Sequence, residues 1–350
     1  MFNRLTIGEV ERVRLVLRGG TVIDWRRLNI STVDECNAIL RANEFDPDNT
    51  CDAIRLAEIR CKAIDYLESK FGFKFADEVV NAPRTSDIML LAAGRDPTLR
   101  PQACMVLKLM HVIHHVDACE LRSKLAVSDR DLRRLVEEKT MRVARKMKYL
   151  GLPILEFKSS HKAQDSLITK LLSKKKTIRA RVFDMIRFRI VVATVQDIVP
   201  VVAYLSQHIF PFNYTVPGES HNSIFDFPHF IKKQPGAKAM IPEFQVDLKF
   251  ENEMRPMINA DTSAAFRTVN FVVDLPIRID DKCLQTWAPD VAVLPGIIHV
   301  LTEFQIVDQA SHSGNERGEA SHEKYEARRI AKVRKRLLTG MMTWQGKDSL

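Results

Sequence analysis

Apolar side chains recur every three to four positions through most of the first 150 residues, which is the spacing of amphipathic helices. Capping and turn residues set the ends of the predicted helices. These helices start at the capping box of Thr32 and Glu35 and run over 52–71, 101–125 and 128–149. The last begins at the N-cap Ser128 and is expected to stop before Gly151 and Pro153. Residues 1–125 are therefore expected to form a helical region.

The pattern changes after Pro153 to a mixture of period-two strands and short helices. Strands are predicted over 185–193, 266–274 and 296–307, and helices over 166–172, 195–209 and 319–338. The proline-rich stretch 210–259 is expected to be irregular. The sequence thus predicts an α+β domain over 126–340, with an insert at about 213–262.

Positive charge is concentrated in one block of the chain. The 350 residues carry a formal net charge of +9, and residues 130–189 hold 18 Lys and Arg against 6 Asp and Glu. Such a block attracts polyanions, although a solvated helix face would show the same composition in its helical half. Nucleotides and RNA are both compatible with this charge.

The composition is that of a protein of the cytoplasm. No stretch reaches the roughly 18 apolar residues that a membrane span needs, and charges stand where a signal peptide requires an apolar run. The six cysteines include no C-x-x-C pair, so reduced thiols are expected.

Two carboxylates interrupt or open otherwise apolar strands that lie far apart in the sequence. Asp184 opens the first strand, while Glu303 and Gln305 share one face of the last. A buried carboxylate is costly unless a cation meets it, and two such groups suggest a divalent metal with a phosphate-bearing substrate. The sequence therefore predicts a Mg²⁺ site at Asp184 and Glu303.

Cationic side chains flank these carboxylates. Lys162, Ser166 and Lys170 are four residues apart, which places them on one helical face suited to the oxygens of a triphosphate. A solvated helix face would give the same spacing. Arg187 and Arg189 share one strand face by the period of two. Phe266 and Asn270 do the same in the middle strand.

The order of these motifs resembles the RelA/SpoT synthetase family of alarmone nucleotide enzymes. That family shows R-x-K-x3-S-x3-K, then D-[ILM]-x-x-[FI]-R-[IVC], G-Y-[QR]-x-[IVL]-H, E-[IVF]-Q-[IVL]-x-T and a later A-E-x-x-x-A-H-x-x-Y-K. The matching positions here begin at Lys162, Phe183, Ala265, Glu303 and Gly318, and they place His322 at the histidine of the last motif. The five partial matches cover about 145–330. The resemblance implies a mixed β-sheet of nucleotidyltransferase (RelA/SpoT synthetase) type flanked by helices.

The resemblance also implies an activity and roles for the residues. The family transfers pyrophosphate from ATP to the 3′-hydroxyl of a guanine nucleotide. Asp184 and Glu303 would hold Mg²⁺, and Glu303 would help to deprotonate the attacking hydroxyl. The remaining members of the implied nucleotide site are Lys158, Lys162, Ser166, Lys170, Arg187, Arg189, Phe266, Arg267, Asn270 and Gln305.

Three positions depart from the family pattern. Ser160 replaces an arginine on the donor side, for which Lys158 would supply only a point charge. Phe266 replaces the tyrosine that stacks on the acceptor base, and Asn270 replaces a histidine. Two alternatives therefore stay open beside the synthetase: a degenerate fold that binds nucleotide or RNA without turnover, and a toxin-like enzyme that modifies the 3′ end of tRNA.

Histidines also cluster in the predicted helix over 101–125. His111 and His115 are one turn apart and could bind a metal, but the further His and Asp residues of a His-Asp hydrolase are not evident nearby. The pattern favours helix packing with partnered histidines.

Overall fold

The computed structural model describes residues 13, 16, 30–161, 164–173, 186–210, 214–224, 266–288, 296–317 and 322–345, without the side chains at 164, 217, 322–323 and 339–345. Helices come first along the described chain. They are α1 (Val33–Ala42), α2 (Thr50–Phe71), α3 (Asp77–Val80), α4 (Thr85–Ala93), α5 (Leu99–Lys124) and α6 (Asp129–Tyr149). The prediction of a helical N-terminal region is confirmed over these residues.

The predicted helix ends are formed by the expected capping contacts. Thr32 Oγ1 accepts a hydrogen bond from Glu35 N at 3.2 Å, and the Glu35 carboxylate accepts one from Thr32 N at 3.2 Å. At α6, Ser128 Oγ accepts from Asp131 N at 3.1 Å. Gly72 ends α2 with a φ of 69°, a left-handed conformation that costs glycine little. Local sequence is thus sufficient to set these boundaries.

A five-stranded mixed sheet follows the helices. Its elements and neighbours are β1 (Ile154–His161), α7 (Gln164–Ser173), β2 (Ile186–Val192), α8 (Ile198–His208), β3 (Thr215–Asn222), β4 (Val269–Arg278), α9 (Asp281–Trp287), β5 (Ile297–Asp308), α10 (Gln309–Arg317) and α11 (His322–Gln345). The strand order is β1-β2-β5-β4-β3; β2 and β5 run parallel and the other pairs antiparallel. The predicted α+β class with a mixed sheet flanked by helices is confirmed. No helix of the described chain has the length and apolar character needed to traverse a bilayer.

The sequence prediction missed both edge strands. Most of β1 is exposed, so no alternation of apolar and polar residues marks it. β3 lies in the stretch expected to be irregular, and Gly218 within it has a φ of 77° at an irregularity of the pairing. β4 extends beyond the predicted end at 274 to Arg278, and α9 follows it. Edge strands carry weak signals because only one side of their backbone is paired.

The two faces of the sheet differ in chemistry. Phe188, Phe304 and Phe271 are register partners on β2, β5 and β4, with ring centroids 5.6 and 5.7 Å apart. Phe210, which follows α8, packs on Phe271 and Phe304. These rings form the apolar face of the sheet. Because successive residues of a strand point to opposite faces, Arg187, Glu303 and Asn270 lie on the other face.

Ion pairs and hydrogen bonds tie the helical region to the sheet. Arg278 at the end of β4 donates to Asp52 of α2 at 2.5 Å and to the carbonyl oxygen of Glu44. Glu44 has a left-handed φ of 66°, and its carboxylate lies 2.6 Å from Lys139 Nζ of α6. One continuous apolar core also includes residues of the helices and the strands. The helices therefore pack directly on the sheet, while the domain boundary at 125/126 stays a prediction.

A cluster of histidines lies where α5 meets the sheet. His114 packs against His299 of β5 with ring centroids 5.4 Å apart, and His111 packs against Tyr214 at 4.6 Å. His115 Nε2 lies 3.4 Å from an Asp274 carboxylate oxygen. His114 also lines an otherwise mostly apolar cavity of about 60 Å³. These histidines therefore serve helix packing, as the sequence favoured.

Replacing Asp52 tests the junction between helices and sheet. Asp52 is 2% exposed and accepts from both Arg278 and the backbone N–H of Asp46. We expect Asp52→Ala to lower the free energy of unfolding by about 2 kcal/mol, because Arg278 and the backbone N–H of Asp46 lose their buried charged acceptor. Chemical denaturation measures this change. The exposed Asp48, paired with Arg41, is the control, and Asp48→Ala should cost about 1 kcal/mol or less.

The histidine cluster predicts acid sensitivity. Burial lowers the pKa of His111 to about 4 and of His114 to about 3, and holds that of His299 well below its usual value. As the pH falls from about 6.5 toward 4, the unfolded chain binds protons at these histidines that the folded chain binds only at lower pH, and burial lowers the pKa of His115 in the same direction. Burial raises the pKa of Asp274 to about 7, which opposes this by one proton. The histidines outnumber this one carboxyl group, so stability should decrease as the pH falls through this range.

The variant His114→Leu isolates one of these protons. Its Nε2 has no hydrogen-bond partner among the described residues, so leucine loses no hydrogen bond at that atom. We expect the acid slope, measured by denaturation at several pH values, to shrink by about 1.4 kcal/mol per unit. The exposed His161 is the control, since folding does not remove it from water. An unchanged slope in His114→Leu would contradict the assignment.

Candidate active site

Three central strands bring the predicted polar residues together in two adjacent register rows. Arg187 of β2 pairs with Glu303 of β5, and Arg189 pairs with Gln305. Asn270 of β4 pairs with Gln305 from the other side. All five side chains lie on the face opposite the phenylalanine rings. The strand order therefore places these polar residues on one face of the sheet, with β5 as the middle strand.

Glu303 is the centre of a hydrogen-bond network. The carboxylate is buried, with the residue 5% exposed. Arg187 Nε donates to its Oε2 at 2.7 Å. Asn270 Nδ2 and Gln305 Nε2 donate to its Oε1 at 3.0 and 3.2 Å. One cation and two amides thus stabilise a carboxylate that burial alone would make very unfavourable.

Asn270 presents a second oxygen at this position. Because its amide nitrogen donates to Glu303, its Oδ1 is directed away from that carboxylate. This oxygen is buried and has no hydrogen-bond partner among the described residues. An orphaned buried acceptor is costly, so the position is suited to a donor or a cation supplied from outside this network.

The cations at the edge of the site pair with carboxylates of the protein. Arg189 Nη1 donates to Glu316 of α10 at 2.8 Å, with the arginine one-third exposed. Lys158 on β1 is mostly exposed and forms an ion pair with Glu156. Exposed pairs of this kind are weak, so an anionic ligand can exchange with them. Both cations stand in the register row of Gln305, because Lys158 pairs with Arg189.

Helix α7 carries the predicted phosphate-binding side chains Ser166 and Lys170. The neighbouring helix α11 fixes it: buried Arg329 donates to the carbonyl oxygen of Ser166 at 3.3 Å, and Arg336 donates to that of Leu172. The predicted helical face is therefore confirmed for these two residues. Lys162 and Asp184 lie outside the described residues, so their predicted roles stay predictions.

The segment before β4 holds the predicted acceptor-binding residues Phe266 and Arg267. Asn315 of α10 holds this segment by two hydrogen bonds to the backbone of Arg267. Ser223 Oγ lies 3.1 Å from the carbonyl oxygen of Phe266, and Arg267 Nη2 donates to Ile224 O at 3.1 Å. Phe266 is half-buried and Arg267 exposed.

Sequence reasoning did not identify Asn315, Glu316 or Ser223. Their hydrogen-bond partners lie 43 to 127 residues away along the chain, so no local sequence pattern predicts these contacts. The residues of α10 directly follow the Glu303 strand in the sequence, but no helix was predicted there. Polar residues on such a helix are usually solvated, which conceals their role.

Metal ligation was predicted at Asp184 and Glu303 and weighed at His111 and His115. Among the described residues, no three His, Cys, Asp or Glu side chains form a group able to hold a metal ion. The prediction at Glu303 depends on Asp184 and stays a prediction. His111 and His115 stack on each other with centroids 6.3 Å apart, consistent with packing.

No protein-family model and no curated protein match the sequence. Solved structures that resemble the fold include small alarmone synthetase 1 of Bacillus subtilis bound to pppGpp, at 18% identity and a TM-score of 0.31 over 62% of this chain and 94% of that one. A GTP pyrophosphokinase family protein of Streptococcus pneumoniae aligns at 16% identity and 0.30, over 62% and 89%. Small alarmone synthetase 2 of Bacillus subtilis aligns at 15% and 0.30, over 61% and 97%. TM-scores of this size do not assign a family.

Replacing Arg187 tests the network around Glu303. We expect Arg187→Met to lower the free energy of unfolding by about 3 kcal/mol, because the buried carboxylate loses its cation. The double variant Arg187→Met with Glu303→Gln should recover most of that loss, since an uncharged amide oxygen still accepts from Asn270 and Gln305. Denaturant unfolding of both variants measures the difference. Equal destabilisation of the single and double variants would contradict the ion pair.

Proposed function

We propose that the chain is a Mg²⁺-dependent pyrophosphokinase of RelA/SpoT type that uses ATP as donor and a guanine nucleotide as acceptor. The observation that carries the proposal is the buried Glu303 carboxylate, set between Arg187 and Asn270 at the centre of the sheet. The motif that contains Glu303 follows the Lys162-x3-Ser166-x3-Lys170 motif and strand β2 along the chain, which is the motif order of the RelA/SpoT family. ATP and the guanine acceptor come from that resemblance.

The reaction requires one acid–base group and strong neutralisation of charge. The acceptor's 3′-hydroxyl oxygen bonds to the β-phosphorus of ATP, the bond from that phosphorus to the α–β bridging oxygen breaks, and AMP leaves. The hydroxyl proton passes to a carboxylate oxygen of Glu303. Arg187 and the two amides orient that carboxylate, which matters because a general base acts only within hydrogen-bond reach.

The cations around the central strands are assigned to phosphate binding. Ser166 and Lys170 lie one turn apart on α7, and Arg189 lies beside the catalytic row. Lys162, the third member of the α7 motif, is assigned by its spacing. Arg189 would exchange Glu316 for a phosphate oxygen, since arginine binds phosphate in a planar, bidentate way. Lys158 adds a point charge in the same row.

The acceptor side is assigned to Phe266 and Arg267. A phenylalanine keeps the face that stacks on a base but lacks the hydroxyl of the family's tyrosine. Arg267 is exposed next to it and is suited to the acceptor's phosphates. Recognition of guanine would therefore depend more on stacking and charge than on hydrogen bonds from this segment.

The residues fit Mg²⁺ by their donor chemistry. Mg²⁺ prefers carboxylate and carbonyl oxygens together with phosphate oxygens of the substrate. Glu303 supplies a carboxylate, and beside it the buried Asn270 Oδ1 has no hydrogen-bond partner in the described part of the chain. Asp184 precedes β2 by two residues in the sequence. When bound, the ion would neutralise charge on the transferred phosphates.

One observation favours a second candidate, a fold that binds nucleotide without turnover. Both oxygens of Glu303 accept hydrogen bonds from protein groups. A carboxylate held in this way is a weaker base, because each donor stabilises its charged form. Ser160 and Asn270, which replace two functional residues of the family, point in the same direction. Binding without AMP release would identify this case.

An assay of AMP release tests the proposal. Protein, Mg²⁺, ATP labelled in its α-phosphate and GDP or GTP should yield labelled AMP and a 3′-diphosphorylated product. We expect Glu303→Gln and Asp184→Asn each to reduce kcat at least about 100-fold, the usual cost of losing a general base or a charge-stabilising group.

The matched control is Glu138→Gln on the exposed surface of α6, which should keep full activity. Undiminished turnover in Glu303→Gln would overturn the assignment. Transfer of label from ATP labelled in its β-phosphate to tRNA, with none to free nucleotide, would replace the guanine acceptor by RNA and give the basic surface of α6 a role.

A further inference from the structure

Asn315 makes a paired contact with the backbone of the proposed acceptor segment. Its Oδ1 accepts from Arg267 N at 3.0 Å, and its Nδ2 donates to Arg267 O at 2.7 Å. The residue is 9% exposed, so both hydrogen bonds are largely shielded from water. A carboxamide is the short side chain that can satisfy an N–H and a carbonyl at once.

Glu316, the next residue, makes a contact on the opposite side of the site. Its carboxylate accepts from Arg189 Nη1 of β2 at 2.8 Å. Two consecutive residues of α10 thus reach the donor-side arginine and the acceptor-side segment. The helix is itself anchored to β5, because Asp308 Oδ2 accepts from Ser311 N at 3.0 Å in its first turn.

We propose that Asn315 is a positioning residue that sets the acceptor-binding segment, while Glu316 restrains Arg189 on the donor side. The inference rests on the proposed function. α10 continues directly from the strand that carries Glu303, so the helix relates both substrate subsites to the catalytic carboxylate. The placement of Phe266 and Arg267 is therefore set by an amide on α10 as well as by the strand that follows them.

Ser223 supports this assignment from the other side of the segment. Its Oγ lies 3.1 and 3.2 Å from the carbonyl oxygens of Phe266 and Thr268, and it accepts from Thr268 N at 2.9 Å. Three successive residues, 266–268, are thus held by polar side chains from two separate elements. These contacts fix the backbone of the segment that carries the proposed acceptor-binding residues.

Asn315→Asp is the sharpest test. Aspartate keeps the acceptor for Arg267 N but cannot donate to Arg267 O when ionised. We expect the KM for the guanine acceptor to rise about tenfold, the usual effect of leaving one shielded hydrogen-bonding group unpaired. The KM for ATP should change less than twofold. Equilibrium binding of GDP, measured by calorimetry, should weaken by the same factor.

Glu316→Gln is the matched control on the same helix. The variant removes the carboxylate that pairs with Arg189. The KM for ATP, or the Kd of a non-hydrolysable ATP analogue, should therefore change, while GDP binding should stay unchanged. Its exposed ion pair contributes little to stability, so the melting temperature should stay constant. A general loosening of α10 would instead shift both substrates together in both variants, and that result would overturn the proposal.

Ser223→Ala covers the case in which Asn315→Asp does not fold. It removes the hydroxyl that contacts the same segment and should weaken GDP binding without affecting the ATP analogue. Unchanged GDP binding in folded Asn315→Asp or in Ser223→Ala would refute the positioning role.

Failure of the proposed function gives a different result. A wild-type protein that binds both nucleotides but releases no AMP would overturn catalysis only, and the GDP-binding comparison would still decide the role of Asn315. A wild-type protein that binds neither ATP analogue nor GDP would overturn both. Selective loss of GDP binding in Asn315→Asp would uphold the positioning role whatever the turnover.

Discussion

The burial of a carboxylate on the central strand constrains the whole sheet. Glu303 stands on β5, between a parallel neighbour that supplies Arg187 and an antiparallel neighbour that supplies Asn270. A buried charge is tolerated only when strand register places its hydrogen-bond partners beside it. Each missing partner leaves part of the free-energy cost of removing the carboxylate from water uncompensated. The mixed order of strands therefore follows the requirements of one side chain as well as those of the apolar face.

The phenylalanine face makes this arrangement possible. Phe188, Phe304 and Phe271 occupy the register row next to that of Arg187 and Glu303, with their side chains on the opposite side of the sheet. Apolar packing of these rings locks the register of the three strands, since a shift by one residue would exchange the two faces completely. The same interaction that stabilises the core thus aligns the polar residues.

The helical region also forms polar contacts with the sheet. Arg278 and Lys139 join β4 and α6 to the turn after α1 through Glu44, whose left-handed backbone is held by these contacts. The histidines of α5 pack against Tyr214 and against β5 upstream of Glu303. His299 lies four residues before Glu303 on β5, so the histidine cluster and the proposed base share one strand.

Periodicity and capping chemistry were enough to predict α1, α2, α5, α6 and the three central strands, because these signals depend on neighbours within one or two turns. The motif order pointed to Glu303, Arg187 and Asn270 as one group. The edge strands β1 and β3 escaped prediction, since an exposed strand needs no alternation of apolar residues. The sequence by itself determined which residues are chemically able to form the site. Only the tertiary structure decided that Asn315 and Glu316 join it, because hydrogen bonds between segments far apart in the chain depend on how helices and strands meet in space.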